Sequence, residues 1–214
     1  MAADPRTDLV EICHLLAARS YTTATGGNVS VRLPDGTFWV TPGGLNKARV
    51  RAEDLVRVNA AGEILEGTRK PSSETFMHLA AYRALPAAGA VVHAHPPYAS
   101  GFSQAGKTLD TSSSSEAVAI LGRDVPLIAY AHPGTPELAE LIGGAMQRTH
   151  KAYMMRHHGV ITWGADLWDA YDILDVMELY AHSLIASIIA GGPLSLSEDD
   201  LAWLEKKHLE LMGC

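Results

Sequence analysis

The sequence predicts an α/β fold: a central sheet with mainly antiparallel pairing, flanked by helices, in one domain over residues 1–214. Three observations predict it. Two segments alternate apolar and polar residues on either side of a tight turn signal, the mark of a hairpin and therefore of antiparallel strands. Other segments carry apolar residues at helical spacing. The two kinds are mixed along the chain, yet the hairpins speak against a doubly wound parallel sheet, leaving a three-layer or α+β arrangement. Length and composition agree, because 214 residues at 47% hydrophobic suit one sizeable core, and no linker, low-complexity run or internal repeat divides them.

The elements follow in order. Residues 7–20 (TDLVEICHLLAARS) read as an amphipathic helix capped by Thr7 or Asp8. Residues 26–44 read as a hairpin: Val29 to Leu33 alternate, Pro34-Asp35-Gly36 turn, and Thr37 to Val40 return. Residues 55–67 repeat the pattern around Ala61-Gly62. Residues 72–85 are helical behind a serine cap, with Met77, Ala80, Ala81 and Ala84 at helical spacing. AVVHAH (90–95) is a strand stopped by Pro96 and Pro97, which cannot donate to a ladder. Residues 125–131 form a strand, and 135–147 a helix opened by Thr135 and Pro136. Residues 152–164 are two strands or one bent strand around His157-His158-Gly159. Residues 165–190 are the clearest helix, capped by Asp166 and ended by Gly191-Gly192-Pro193, and 197–212 a last one.

Charge and cysteine usage exclude several classes. The net charge is −7 and there is no Lys/Arg cluster, which argues against nucleic acid and anionic membrane as partners but leaves room for a small anion in a local pocket. Cys13 and Cys214 have no metal-type spacing and are too few for a disulfide framework. The first residues are polar, and the most apolar stretch, 183–194, is too short to span a bilayer. A reduced, cytoplasmic setting is expected.

The chemistry starts with His93 and His95. On a strand, residues two apart point to one face, so both imidazoles project side by side at a strand end, as a metal half-site requires. Two half-exposed histidines bonded to backbone would fit the same spacing. His157 and His158 are adjacent, so on a strand only one can join a shared site, and Gly159 leaves room for close approach. Glu74 opens a helix behind Ser72 and Ser73, either as a helix-start charge or as a functional carboxylate. The stretches TGGNVS (25–30), TPGG (41–44) and PSS (71–73) are rich in glycine and hydroxyls. They suit anion binding through backbone N–H groups, and also ordinary turns and caps.

The order of these pieces is more specific than any one of them. Gly-Gly-Asn-x-Ser, Thr-Pro-x-Gly, Ser-Ser-Glu, His-x-His and His-Gly follow one another from about residue 8 to 190, and PSSETFMHLAAYRALPAAGAVVHAH is the most specific part. The chain resembles the class II aldolase/adducin family, most closely its L-fuculose-phosphate aldolase branch. The resemblance implies a three-layer α/β/α fold and a homotetramer with active sites between subunits. It implies a divalent metal, usually zinc, on His93, His95 and His158, with manganese, cobalt or iron as other possibilities. It assigns Glu74 as the catalytic acid/base, and Asn28, Gly44, Ser72 and Ser73 as phosphate ligands. Gly43 stands where relatives often carry Thr or Ser, which removes one hydroxyl from that loop.

The implied reaction is the cleavage of a ketose 1-phosphate, such as L-fuculose 1-phosphate, to dihydroxyacetone phosphate and an aldehyde. A metal held by three neutral imidazoles stabilises the enediolate charge as a Lewis acid, and the carboxylate moves the proton at the enediolate carbon. Lys47 and Lys70 are expected to be solvated or near the phosphate. Two other readings share the resemblance: a 3-oxo-tetronate 4-phosphate decarboxylase, and a metal-free adducin-like interaction module. Epimerase relatives usually place Asp where Glu74 stands. Fuculose-phosphate aldolases also use a tyrosine in the stretch matching 107–122, which here has none.

Overall fold

The computed structural model describes residues 4–213; Cys214 lies outside them. Helix α1 (Pro5–Ala18) starts two residues earlier than expected, because Asp4 rather than Thr7 or Asp8 is the cap: its carboxylate accepts from the Arg6 N–H, and Pro5 takes the first helical position. Strands β1 (Asn28–Arg32) and β2 (Phe38–Val40) form the first hairpin. Its turn needs Gly36, whose φ of 81° lies in the left-handed region. Strands β3 (Val56–Val58) and β4 (Ile64–Glu66) form the second.

Helix α2 (Thr75–Ala84) begins at the position after Glu74, and no side chain caps it; the expected serine cap is replaced by Ser72 Oγ accepting from the Glu74 N–H at 3.3 Å. Strand β5 (Ala90–Ala94) follows. Pro96 and Pro97 end the ladder as expected, but Pro97 also starts an unforeseen helix, α3 (Pro97–Gln104), since proline is well suited to a first helical turn. A second unforeseen helix, α4 (Ser115–Leu121), lies between β6 (Leu109–Asp110) and β7 (Asp124–Val125). The strand expected over 125–131 is divided at Pro126: β7 pairs with β6 in a separate two-stranded sheet, and β8 (Leu127–Ile128) joins the main sheet. Helix α5 (Pro136–Ala145), strands β9 (Ala152–Met155) and β10 (Gly159–Gly164), and helices α6 (Leu167–Ile189) and α7 (Glu198–Leu211) complete the chain, capped at Thr135, Asp166 and Ser197.

The main sheet has eight strands in the order β4-β3-β2-β1-β5-β10-β9-β8. It is mixed: β8 and β9 run parallel, while the other neighbouring pairs are antiparallel. Its two faces build two cores. Val29, Val31, Ala90, Val92 and Ala94 point to one side, where Leu9, Ile12 and Leu16 of α1 and Leu174, Met177 and Ala181 of α6 cover them. Val91, Tyr153 and Ile161 point to the other, against Met77, Leu79 and Ala81 of α2 and Leu138 and Ile142 of α5. Alternation along β1 and β5 therefore sends Asn28, Ser30 and His93 into the α2 side of the sheet. Asn28 stands directly opposite His93 in the β1–β5 register. No helix among the described residues is long and apolar enough to cross a membrane.

Candidate metal centre and proton-transfer site

His93, His95 and His158 converge. Their potential ligand atoms lie within 4.8 Å of one another, and the ring centroids are 4.8, 4.8 and 5.3 Å apart. His93 lies inside β5; His95 is one residue beyond it, where its N–H donates to the Tyr21 carbonyl at 2.7 Å. His157 and His158 sit in the turn between β9 and β10 instead of on a strand. His157 takes a left-handed φ of 56°, and that turn, rather than strand alternation, separates the two rings. Gly159 is required by space: a Cβ there would lie 2.5 Å from both the Ala94 carbonyl oxygen and His95 Cδ2.

The donor set fits a divalent metal. His93 Nδ1 donates to the Val160 carbonyl at 2.7 Å, which fixes the tautomer and leaves Nε2 as a lone pair. That nitrogen lies 3.1 Å from His95 Nε2. His158 keeps a buried Nδ1 with no hydrogen-bond partner among the described residues. Burial, reinforced by the neighbouring imidazoles and opposed by Glu74, pushes His93 down to about 3, so it is a neutral imidazole at pH 7, the form that can ligate a metal. Burial lowers His95 as well. Imidazoles of this kind suit zinc, iron, nickel or copper, and three of them leave a coordination position open.

Glu74 faces the triad. Its Oε2 is 3.4 Å from His93 Nε2 and its Oε1 3.1 Å from His158 Nε2. Burial works to raise the Glu74 carboxyl, but His93, His158 and the Asn28 amide outweigh it and hold it below the usual carboxylate range. The Asn28 Nδ2 donates to Glu74 Oε2 at 2.8 Å and to Ser72 Oγ at 3.3 Å. Asn28, expected as a phosphate ligand, thus has its amide committed to the carboxylate. His78 Nε2 contacts Asn28 Oδ1, His78 Nδ1 lies 2.7 Å from Ser30 Oγ, and Ser30 Oγ lies 2.9 Å from the Tyr82 hydroxyl.

The other expected anion loops surround this group. An isolated bridge pairs Pro42 with Pro71, and the Ser72 N–H donates to the Thr41 carbonyl at 3.1 Å, so the TPGG and PSS segments lie side by side. The Gly44 and Ser73 N–H groups donate to no backbone carbonyl among the described residues. Gly44 has a φ of 70° with open space where a Cβ would be. Lys47 is buried, not solvated. Its Nζ donates to the carbonyls of Thr25 at 3.3 Å and Leu45 at 3.1 Å, tying the TGGN and TPGG segments together. Cys13 is a buried free thiol that burial pushes up to about 12, which makes it unreactive.

Sequence reasoning missed His78, Ser30 and Tyr82. The signal was present: Ser30 follows Asn28 by two residues on an alternating strand, and His78 and Tyr82 follow Glu74 at steps of four on a helix. The 107–122 stretch, without a tyrosine, forms β6 and α4. Tyr130, just after β8, places its ring 6.1 Å from that of His157 and its hydroxyl 3.1 Å from His132 Nδ1.

Comparison with known proteins agrees with this geometry. The chain is 34% identical over 171 residues to an L-fuculose phosphate aldolase of Methanococcus vannielii, covering 80% of this chain and 90% of that one. It is 35% identical over 175 residues to a 3-oxo-tetronate 4-phosphate decarboxylase of Haemophilus influenzae, covering 79% and 81%. A solved structure titled L-fuculose 1-phosphate aldolase superposes with a TM-score of 0.85 at 28% identity, covering 97% of each chain. The family model described as Class II Aldolase and Adducin N-terminal domain matches residues 7–185. With the triad, the carboxylate and the sheet that carries them in place, the chain belongs to the class II aldolase and adducin family.

Proposed function

We propose that this protein is a metal-dependent carbon–carbon lyase that cleaves a ketose 1-phosphate to dihydroxyacetone phosphate and an aldehyde. The observation that carries the reading is the Glu74 carboxylate, held 3.1 and 3.4 Å from two of three converging imidazoles. His93, His95 and His158 hold the ion, zinc or another divalent metal, which when bound supplies Lewis acidity toward the negative charge that develops on substrate oxygen. Glu74 moves the proton at the carbon where the bond is broken, a task that needs a carboxylate kept in reach and not solvated. The Asn28 amide aims that carboxylate. The Gly44 and Ser73 N–H groups, with the Ser72 and Ser73 hydroxyls, take the phosphate, and Asn28 borders the same space. Lys47 adds positive charge behind both glycine loops.

In this reading the protein is a cytoplasmic homotetramer. Exposed Phe76, Leu179, Ile188, Ile189 and Trp203 give subunits apolar surface to share. An interaction module would have no use for a complete triad with a part-buried facing carboxylate.

The 3-oxo-tetronate 4-phosphate decarboxylase reading has its own support in the Haemophilus influenzae relative at 35% identity and in the lack of a tyrosine over 107–122. The same groups would serve, since loss of carbon dioxide also leaves charge beside a carbonyl. A screen of metal-loaded protein against ketose 1-phosphates and 3-oxo-acid phosphates separates them. Release of dihydroxyacetone phosphate supports the aldolase. Release of carbon dioxide alone assigns the decarboxylase, and turnover of neither class sinks both.

A further inference from the structure

Tyr82, Ser30, His78 and Asn28 form a buried polar chain between α2 and β1 that ends on Glu74. Only its last member is used above. The chain has one direction, and Asn28 sets it. A carboxylate oxygen only accepts, so the Asn28 nitrogen faces Glu74 at 2.8 Å and its oxygen faces His78. That oxygen accepts, so His78 carries its hydrogen on Nε2. Burial pushes His78 down to about 4 against the opposing charge of Glu74, so the ring is neutral at pH 7 and Nδ1 is a lone pair. The Ser30 hydroxyl therefore donates to Nδ1 at 2.7 Å, and its oxygen accepts from Tyr82 at 2.9 Å. Each donor meets an acceptor, and each hydrogen points toward Glu74.

The opposite polarity fails at one place. If His78 carried its hydrogen on Nδ1, Nε2 would present a lone pair to Asn28. The amide would then turn over to donate to His78, and its carbonyl oxygen would face the carboxylate. Two acceptors would be forced together in a buried setting, where unpaired polar groups are costly.

We infer that His78 is a positioning residue: its Nε2–H, with the tautomer fixed by Ser30 and Tyr82, locks the Asn28 amide in the orientation that donates to Glu74. This rests on the reading in which Glu74 moves the substrate proton. A chain that merely satisfied buried polar atoms would separate a leucine from a glutamine at position 78 in stability and not in kcat.

The test uses the full-length, metal-loaded protein and two variants. His78→Leu removes the donor, while His78→Gln restores an N–H near the position of Nε2. His78→Leu is expected to lose about 10–100-fold in kcat, the usual range for a supporting partner, with KM within about twofold and full metal content. His78→Gln is expected to return to within about threefold of wild type. A folded His78→Leu with wild-type kcat overturns the inference, and so does a His78→Gln that loses as much as the leucine variant.

Nitrogen-15 NMR of the His78 ring in the wild-type protein gives a reading independent of turnover. A protonated Nε2 and bare Nδ1 from pH 6 to 8 are expected, and the reverse tautomer overturns the inference. Should His78→Leu not fold, Ser30→Ala replaces it. Losing that donor should give a mixed tautomer signal and a kcat loss of about 3–10-fold, and an unchanged signal with unchanged kcat refutes the lock. If the wild-type protein turns over neither substrate class, the proposed function falls, while the nitrogen-15 pattern still decides the tautomer.

Discussion

Gly159→Ala tests the site through space alone. The added methyl changes no charge and removes no hydrogen bond. Its Cβ would sit 2.5 Å from the Ala94 carbonyl oxygen and 2.5 Å from His95 Cδ2. Ordinary contact begins about 1 Å farther out, near 3.5 Å. The Ala94 carbonyl has little freedom, because Ala94 pairs with Val160 in the β5–β10 register. The His95 ring, beyond the end of its strand, must supply most of the shift. Overpacking of this kind costs about 1–3 kcal/mol. Spent on displacing one of three ligands, that cost corresponds to about 5–150-fold in metal affinity. Competition with a calibrated chelator measures the affinity, and thermal melting of the metal-free protein measures the share that falls on the fold. An alanine variant whose metal affinity stays within about twofold of wild type would refute the packing account of Gly159 and loosen the assignment of His95.

Four further outcomes follow from the same geometry. His93→Ala or His158→Ala should strip the metal and abolish turnover while the subunit stays folded; elemental analysis showing full occupancy would remove them from the ligand set. Glu74→Gln should keep most of the metal and lose at least ~10²-fold in kcat, and near-normal turnover would reduce Glu74 to a helix-start charge. L-fuculose 1-phosphate should be a poor substrate because 107–122 has no tyrosine; a kcat/KM of about 10⁴ M⁻¹s⁻¹ or more would show that this donor is unnecessary. His78 falls from 6.5 unfolded to about 4 folded, so the unfolded chain takes up its proton first and stability is lost as pH drops from about 6.5 toward 4. Denaturant titrations should show a shallower loss over that window in His78→Gln, and identical slopes would show that His78 does not contribute to it.

The helices with a polar cap and a clear apolar stripe were legible in the sequence. Thr135 and Asp166 cap α5 and α6 where the pattern placed them, and α7 starts one residue inside its expected range, with Ser197 as a cap that the pattern did not name. Helices α3 and α4 were not, because at 8 and 7 residues each is shorter than the window over which helical spacing is read. Pro97 added a misleading cue, since the same residue that ends a strand begins a helix. The division of 125–131 turns on which sheet each half joins, a choice made by tertiary pairing.

At the site, the convergence of His93 and His95 followed from a period of two. His158 and Glu74 could be joined to them only through resemblance, because a turn and a helix start have no period to read. The commitment of Asn28 to Glu74 was hidden for another reason. A cross-strand partner and a helix above the sheet decide where an amide points, and neither is local in sequence.

The three imidazoles come from two places 63 residues apart in the chain, the end of β5 and the turn before β10, and they meet only because those strands lie side by side in the middle of the sheet. An unfolded chain cannot present them together. An ion held there binds the native state alone, and free metal at 100 times its dissociation constant would add about 2.7 kcal/mol to the work of unfolding. The lifetime of the fold would then follow the metal supply of its surroundings, and a chelator would act as a denaturant without touching the hydrophobic core.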